Sequence, residues 1–456
     1  MGVLNQMLLR TLNALPGGPS ASPLAIEWPG GRIGPPNPRI QMRFSHASGL
    51  LALGRGQLGR LGDLYVQGEL AIEGSMRDLM HATAALAGQP MDTHASWPWA
   101  RAWRHLRSLL RHSHGRDRRQ INFHYDVSDD FYALWLDPRR VYSCAYFEHP
   151  DMTLAQAQEA KLDLICRKLG LAPGQRLLDI GAGWGGLLLW AAQYHGVHAT
   201  GITLSENQHA HVSRLIQERG LQDRVQMHLM DWRDVPEDQP FDRIASIGMF
   251  EHVGRAQMTN YFSKVKRLLR PGGLVLNHGI TGASVHHAQL GKGLGEFIDQ
   301  HIFPGGELLH VAQVSAHVAQ AGLELLDDEN LRPHYARTLW AWSDNLEARM
   351  SEAQQVVAPE TLRAYRLYLA GCAMAFERGW LALHQLLCAH PNGQVDHPAE
   401  QMRGAQCDYP FRRDGFYPLA DRRPDSTQQR LRATPAALSG ACESLREPLG
   451  EPLIEP

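Results

Sequence analysis

The chain has 456 residues, enough for two or three folded units with at least one large core. Its 45 Lys and Arg stand against 47 Asp and Glu, and the formal charge of −2 gives no global attraction to nucleic acid or anionic lipid, so a nucleic-acid partner is not expected. Six dispersed cysteines (144, 166, 372, 388, 407 and 442) show no C-x-x-C or ladder spacing, which argues against a zinc site or disulfide framework and for reduced thiols in a cytoplasmic setting.

The N-terminal "MGVLNQMLLRTLNALPGG" has no basic region ahead of its apolar residues and reads as a short amphipathic helix, not a secretory signal. No apolar run approaches the ~20 residues needed to span a bilayer, so a soluble protein is expected. From 23 to about 90, short β-like stretches ("LAIEW", "IQMRF") pass into "LGDLYVQGELAIEGSMRDLMHATAAL", a pattern of a small α+β domain. "WPWARAWRHLRSLLRHSHGRDRRQ" follows, with Arg101, Arg104, Arg107 and Arg111 at helical spacing and Trp103, Leu106, Leu109 and Leu110 on the other side. This basic amphipathic helix reads equally as a solvated linker or as a membrane-surface element.

Between 175 and 281 strand-like and helical stretches alternate, through "RLLDIGAG", "HATGITL", "VQMHLMD", "FDRIASIGMF" and "GLVLNHGIT". Such alternation predicts an α/β fold with a doubly wound, parallel sheet. A Gly-rich connection (282–306), a helix near 310–321 and helical stretches near 335–350 and 360–388 would roof that sheet as a lid. Beyond Pro391 the chain is Pro- and charge-rich. The expected organisation is an N-terminal lipid- or membrane-associated domain with its basic linker helix over 1–115, a catalytic domain over 116–390 and a loosely ordered tail over 391–456.

"DIGAGWGG" places Asp179, Gly181, Gly183, Gly185 and Gly186 at the first strand-to-helix turn, where missing Cβ atoms let a ligand approach backbone and helix N-terminus. The pattern fits a dinucleotide fingerprint as well as the form typical of S-adenosylmethionine (SAM) methyltransferases. "LLRPGGLVL", a tight turn before a fifth strand, and "MDWRD", at the end of the third, both favour SAM. The second strand ends in "TLSENQ" without an immediate strand-end acid, leaving Gln208 or Glu206 to meet a ribose.

Read together, "NFHYDVSDDFYALWLD", "YSCAYFE", "LLDIGAGWGG", "GITLSENQ", "MFEHVG", "NHGIT", "FIDQHIFPGG" and "HYARTLWAW" resemble, in order, the cyclopropane fatty acid synthases and the related mycolic acid synthases. The resemblance covers about 122–390, and "GDLYVQGELAIEG" is similar to the N-terminal domain of the longer bacterial synthases. It implies a seven-stranded SAM-methyltransferase sheet with a helical lid. The implied reaction is transfer of a methylene bridge from SAM to the cis double bond of an acyl chain in a membrane phospholipid, met by peripheral association at the inner face of the membrane. In that chemistry the alkene attacks the SAM methyl, and a bound bicarbonate removes a proton so that the ring closes. The positions matching the bicarbonate cradle are Cys144, Glu251, His278, Ile280 and Tyr335. Those matching SAM contacts are Tyr142, Ser143, Asp179, Gly181, Gly183, Gly185, Thr203, Asn207, Gln208, Trp232 and Arg233.

Four of the five cradle residues have a plainer reading beside this one. Cys144 would be a buried structural thiol, Glu251 a helix-start cap, His278 a satisfied core histidine, and Tyr335 a packing aromatic. A thiolate at Cys144 would itself be alkylated, so the cradle reading needs a neutral thiol there. Rival functions are a methyl-branched or oxygenated acyl product on the same fold, an NAD-linked oxidoreductase, and a lipid-binding protein without turnover. No metal-ligand spacing such as H-E-x-x-H and no G-x-S-x-G is present. A homodimer is compatible with the sequence.

Overall fold

A computed structural model describes residues 24–87, 129–285, 297, 307–391 and 416. The N-terminal amphipathic helix, the Arg101 to Arg111 helix, most of the Gly-rich connection and nearly all of the tail lie outside these residues.

A four-stranded sheet opens the described chain, with β1 (Leu24–Trp28), β2 (Gly31–Ile33), β3 (Ile40–Phe44) and β4 (Leu70–Gly74) in the order β2-β1-β3-β4. Period-2 patterning sets its faces. Ile40, Met42 and Phe44 point into the core, while Arg43 on the opposite face pairs with Glu73 at 3.1 Å. Three helices accompany it: α1 (Gly49–Gly54), α2 (Leu58–Gln67) and α3 (Met76–Ala87). Gly68 closes α2 at φ +82, a left-handed cap that glycine adopts without a Cβ penalty.

Next come α4 (Asp129–Trp135) and α5 (Leu154–Lys168), then the alternating region: β5 (Arg176–Ile180), α6 (Gly186–His195), β6 (His198–Thr203), α7 (Glu206–Glu218), β7 (Val225–Leu229), β8 (Phe241–Ile247), α8 (Met258–Leu268) and β9 (Leu269–Gly282). The chain continues through α9 (Val311–Gln320), β10 (Glu324–Asn330), α10 (Arg332–Ala348), α11 (Met350–Val356), α12 (Pro359–Glu377) and β11 (Leu381–Ala389). These seven strands form one sheet in the order β10-β11-β9-β8-β5-β6-β7, with β11 antiparallel to both neighbours. Strand order reverses between β5 and β8, and the carboxyl ends of those strands open the crevice where such sheets bind ligands.

Two expectations are corrected. The stretch 381–388 is not the end of a helix but strand β11, because Gly379 at φ +72 ends the helical segment and "LALHQLLCA" inserts between β9 and β10. A strand buried on both faces is an unbroken apolar run, and period alone does not separate that from a buried helix. The "RPGG" turn is absorbed into β9 as an irregularity: pairing with β8 jumps from Phe241–Leu269 to Arg243–Leu274.

One apolar core joins the two sheets' surroundings. Ile26, Phe44, Leu64 and Met80 from the N-terminal part belong to the same cluster as Trp135, Trp342, Tyr365, Leu369 and Phe376. Arg366 of α12 reinforces the seam, reaching Glu347 of α10 and the Tyr65 hydroxyl of α2 at 3.0 Å.

Candidate active site

The segment 137–147 is strapped into place before any ligand is considered. The Asp137 carboxylate accepts the backbone N–H groups of Arg139 and Val141, each at 2.9 Å, which closes a tight turn with Arg140 at φ +53. On one side α5 supplies Gln158, which donates to the carbonyl of Ser143 at 2.8 Å, and Lys161, whose Nζ donates to Ser143 Oγ at 2.8 Å. On the other side α10 supplies Thr338, which accepts from Ala145 N at 3.0 Å, and His334, which accepts from Phe147 N at 3.0 Å. Tyr142 and Ser143 thereby face the crevice at the end of β5, while Cys144 points away from solvent.

That crevice is a cavity of about 1080 Å³, open solvent included, lined from Arg140 to Ser143, by Lys161, by the turn after β5, by Thr203 and Gln208, and by Met230 to Arg233. Of the expected SAM contacts, Tyr142, Ser143, Asp179, Gly181, Gly183, Thr203, Gln208, Trp232 and Arg233 all line it. Gly181 (φ +79) and Gly183 (φ +54) both require glycine's backbone freedom, and a Cβ on Gly183 would meet only the Gly181 carbonyl oxygen, at 3.9 Å. Thr203 and Gln208 lock together, the hydroxyl donating to Gln208 Oε1 at 2.8 Å, so the Gln208 amide N–H groups remain to face the cavity. Of the two candidates for a ribose contact, Gln208 lines the cavity and the exposed Glu206 does not.

Two expected contacts fall elsewhere. Asn207 is exposed on α7 and does not line the cavity. Gly185 does not line it either; a Cβ there would press on Val212 at 3.0 Å, so this glycine lets α6 and α7 approach. Arg233 lines the wall with its guanidinium folded back on Asp231, donating from Nε at 2.8 Å and Nη2 at 2.6 Å. Trp232 presents its ring beside Tyr261, edge to face at 5.1 Å.

Sequence reasoning missed Lys161. It lies on the buried face of α5 with Ala157, Gln158, Leu162 and Ile165, and only 1% of it is exposed. Burial lowers its pKa to about 8, and burial raises that of Asp179, 2% exposed, to about 7 against the pull of Lys161. Asp179 Oδ1 has no hydrogen-bond partner among the described residues, so an unsatisfied buried acceptor faces the cavity beside a buried amine. The signal was available: a lysine at an apolar position of an amphipathic helix.

The five expected cradle residues do not line this cavity, but the chain links them closely behind it. Cys144 Sγ lies 3.9 Å from the Leu331 carbonyl, which also accepts the Tyr335 N–H at 3.0 Å. Leu331 N donates to Leu383 O at 2.8 Å, and Leu383 pairs with Ile280 across β11 and β9. Ile280 N in turn donates to Glu251 Oε1 at 2.7 Å. His278 stands two residues before Ile280, opposite Gln385. Gly279 between them is obligatory, since a Cβ there would fall inside the Phe250 ring.

Their electrostatics are those of groups held away from solvent. Burial raises the Cys144 thiol far above its ordinary range, so the group is a neutral thiol. Burial also raises Glu251 to about 7 and drives His278 well below its ordinary value, so the imidazole is uncharged. Glu251 Oε2 and His278 Nε2 are both buried without a hydrogen-bond partner among the described residues. Glu251 lies in the first turn of a short 3₁₀ helix (Phe250–His252), and its carboxylate ties that turn, which follows β8, to β9. Tyr335 packs against Phe376 at 4.6 Å and Trp342 at 6.1 Å.

A second cavity, about 1060 Å³ with open solvent included, is walled almost wholly by apolar side chains, Met42, Leu61, Leu70 and Met80 from the N-terminal part and Leu367, Met374 and Leu381 from the lid and β11. Its Tyr368 interacts with Tyr142 of the first cavity and lies in the field of Tyr335. The two cavities are thus linked through the Tyr142–Tyr368 contact. No helix among the described residues is long and apolar enough to cross a membrane.

Comparison with known proteins agrees with this geometry. Residues 112–386 match the family model described as mycolic acid cyclopropane synthetase. A probable fatty acid methyltransferase of Pseudomonas putida is 42% identical over 397 residues, covering 87% of this chain and 96% of that protein. The methoxy mycolic acid synthase MmaA3 of Mycobacterium tuberculosis is 40% identical over 59% of this chain and 94% of its own. The crystal structure of mycolic acid cyclopropane synthase CmaA1 complexed with SAH and CTAB is 40% identical, with a TM-score of 0.57, and covers 60% of this chain and 98% of that one.

Proposed function

Because the chain belongs to the mycolic acid cyclopropane synthetase family and is a SAM-dependent methyltransferase of that family, we propose that it adds a methylene bridge to the cis double bond of an unsaturated acyl chain carried by a membrane phospholipid. The observation that carries this reading is that Glu251 Oε2 and His278 Nε2 are each buried and without a hydrogen-bond partner among the described residues, in a chain with one cavity suited to SAM and an apolar one suited to an acyl chain. SAM supplies an electrophilic methyl group, and bicarbonate at the unpartnered pair supplies a base.

Everything else falls to the chain's own residues. Gly181 and Gly183 admit the cosubstrate, Gln208 offers its amide to the ribose, and Trp232 gives the adenine a ring to lie against. A neutral imidazole at His278 suits donation to an anion, and Glu251, titrating near 7, is matched to taking up a proton at Oε2. Cys144 and the aromatic wall keep water and nucleophiles from the cationic carbon that forms on the acyl chain. The Tyr335 ring contributes a π face worth on the order of 1 kcal/mol toward that charge. Arg101, Arg104, Arg107 and Arg111 are the natural contacts with an anionic bilayer, near which each contributes about 1 kcal/mol. Peripheral attachment at the cytoplasmic face follows from that reading.

A methyl-branched product is the second reading, favoured by the name of the Pseudomonas putida relative. The two diverge only in whether the proton leaves from the newly added methyl group. Turnover in buffer stripped of carbon dioxide tests the base: activity that collapses and returns with added bicarbonate supports the proposal, and indifference to bicarbonate removes it.

A further inference from the structure

We propose that Lys168 and Gln385 are positioning residues that lock His278 in its Nε2-protonated tautomer, so that the ring presents an N–H donor at the buried Nε2. Three strands lay the parts in a row. Glu329 on β10 pairs with Gln385 on β11, and Gln385 pairs with His278 on β9, so the three side chains share one face of the sheet. Lys168, the last residue of α5, lies over that row, bonded to Glu329 and within 3.9 Å of Asp327.

The hydrogen-bond inventory then leaves one assignment. Lys168 Nζ carries only donors, so the Gln385 atom 2.8 Å away is its carbonyl oxygen. The other end of that amide is NH₂, again only donors, and it sits 3.1 Å from His278 Nδ1. Nδ1 must therefore accept, and the single proton of the neutral ring resides on Nε2. Protonating Nδ1 as well would set two donors against each other, so the same amide opposes the charged ring. Gln385 is fully buried and cannot exchange this role with water.

The consequence rests on the reading of His278 as a donor to the anion. The opposite tautomer would offer that anion a lone pair, which repels it. A merely structural row of satisfied polar groups makes no such demand, since Gln385→Glu keeps the bond to Lys168 and nearly the same volume. What that substitution changes is the direction of the bond to the ring: a carboxylate accepts, so Nδ1 takes the proton and Nε2 loses it or the ring becomes charged.

The test is ¹⁵N NMR of the full chain labelled at histidine, with the His278 signals among the 24 histidines identified by their loss in His278→Gln. The wild type should show a protonated Nε2 and a bare Nδ1. Gln385→Glu should show a protonated Nδ1, with turnover on unsaturated phospholipid vesicles down roughly 10- to 100-fold, the scale seen when the orienting partner of a metal-bound histidine is removed. Its SAM affinity by calorimetry should be unchanged. A bare Nε2 in the wild type overturns the proposal, and so does a Gln385→Glu protein that keeps the wild-type tautomer. An inverted tautomer with undiminished turnover would leave the lock standing and strike out His278 as a donor to the anion. If Gln385→Glu does not fold, the wild-type spectrum decides the tautomer, and Gln385→Met, which should release both tautomers, decides the role of the amide.

Discussion

Glu251 Oε1 accepts the Ile280 backbone N–H at 2.7 Å, and this bond fixes where the other carboxyl oxygen points. Glu251→Gln can keep it, because the amide retains one acceptor oxygen of nearly the same size. It loses the carboxylate that, in the proposed reaction, takes up a proton at Oε2. The variant should bind SAM normally by calorimetry and lose about 10²- to 10⁴-fold in turnover, the usual size of a general acid–base contribution. Normal turnover with early melting would make Glu251 a structural tie alone.

The same two acids set a pH dependence of stability. Burial raises Glu251 from 4.5 to about 7 and Asp179 from 3.8 to about 7, so across that window the native state holds protons that the unfolded chain has released. Stability contributed by these groups is complete below the unfolded values and is lost as pH rises through about 7. Melting of the ligand-free protein between pH 4 and 8 should show the decline. Glu251→Gln should flatten it by removing one of the two groups, so that the variant gains on the wild type at pH 8. An identical pH slope in both proteins would contradict the burial of Glu251 as an acid.

How much of this was legible beforehand follows from which residues carry local signals. The cofactor turn announced itself because Gly181 and Gly183 need backbone angles and clearance that only glycine supplies, and most expected contacts along that crevice line it. Gly185 carried the same letter for another reason, close packing on Val212, and one sequence offers no means of telling the two apart. Strand β11 was hidden because its apolar run satisfies either period, and its place between β9 and β10 is a property of the whole sheet. The Lys168–Gln385–His278 row joins residues up to 217 positions apart, and only strand register brings them together.

Lys161→Met keeps an unbranched side chain in the slot on α5 while removing the bond to Ser143 and the amine beside Asp179. SAM affinity should fall by roughly 10-fold or more, since hydrogen bonds to charged groups are worth about 1.5–3 kcal/mol. Asp179 should titrate still higher, because the attraction of Lys161 was holding it down. Calorimetry across pH 6 to 9 checks both, and an unaltered affinity would place Lys161 outside cosubstrate binding.

Gly371, on α12, lines the apolar cavity and has space around it: the nearest atom a Cβ would meet is Met80 Sδ at 4.0 Å. Gly371→Leu should raise helix stability by roughly 0.5–1 kcal/mol, read as a higher melting temperature. It should also obstruct the cavity, so that turnover on long acyl chains falls while SAM affinity holds. A stabilised variant with full turnover would show that the acyl chain lies elsewhere.

The central claim, that this site closes a ring on a phospholipid acyl chain, is tested most directly by the lipid product itself. Vesicles of a phospholipid with one cis double bond per acyl chain are incubated with the protein and SAM, and the lipids are examined by mass spectrometry and proton NMR. The account predicts a gain of one methylene per modified chain, disappearance of the olefinic protons and appearance of cyclopropane signals. The same gain in mass with a methyl-branch signal and a surviving double bond would contradict ring closure, and unaltered lipid would contradict the phospholipid substrate itself.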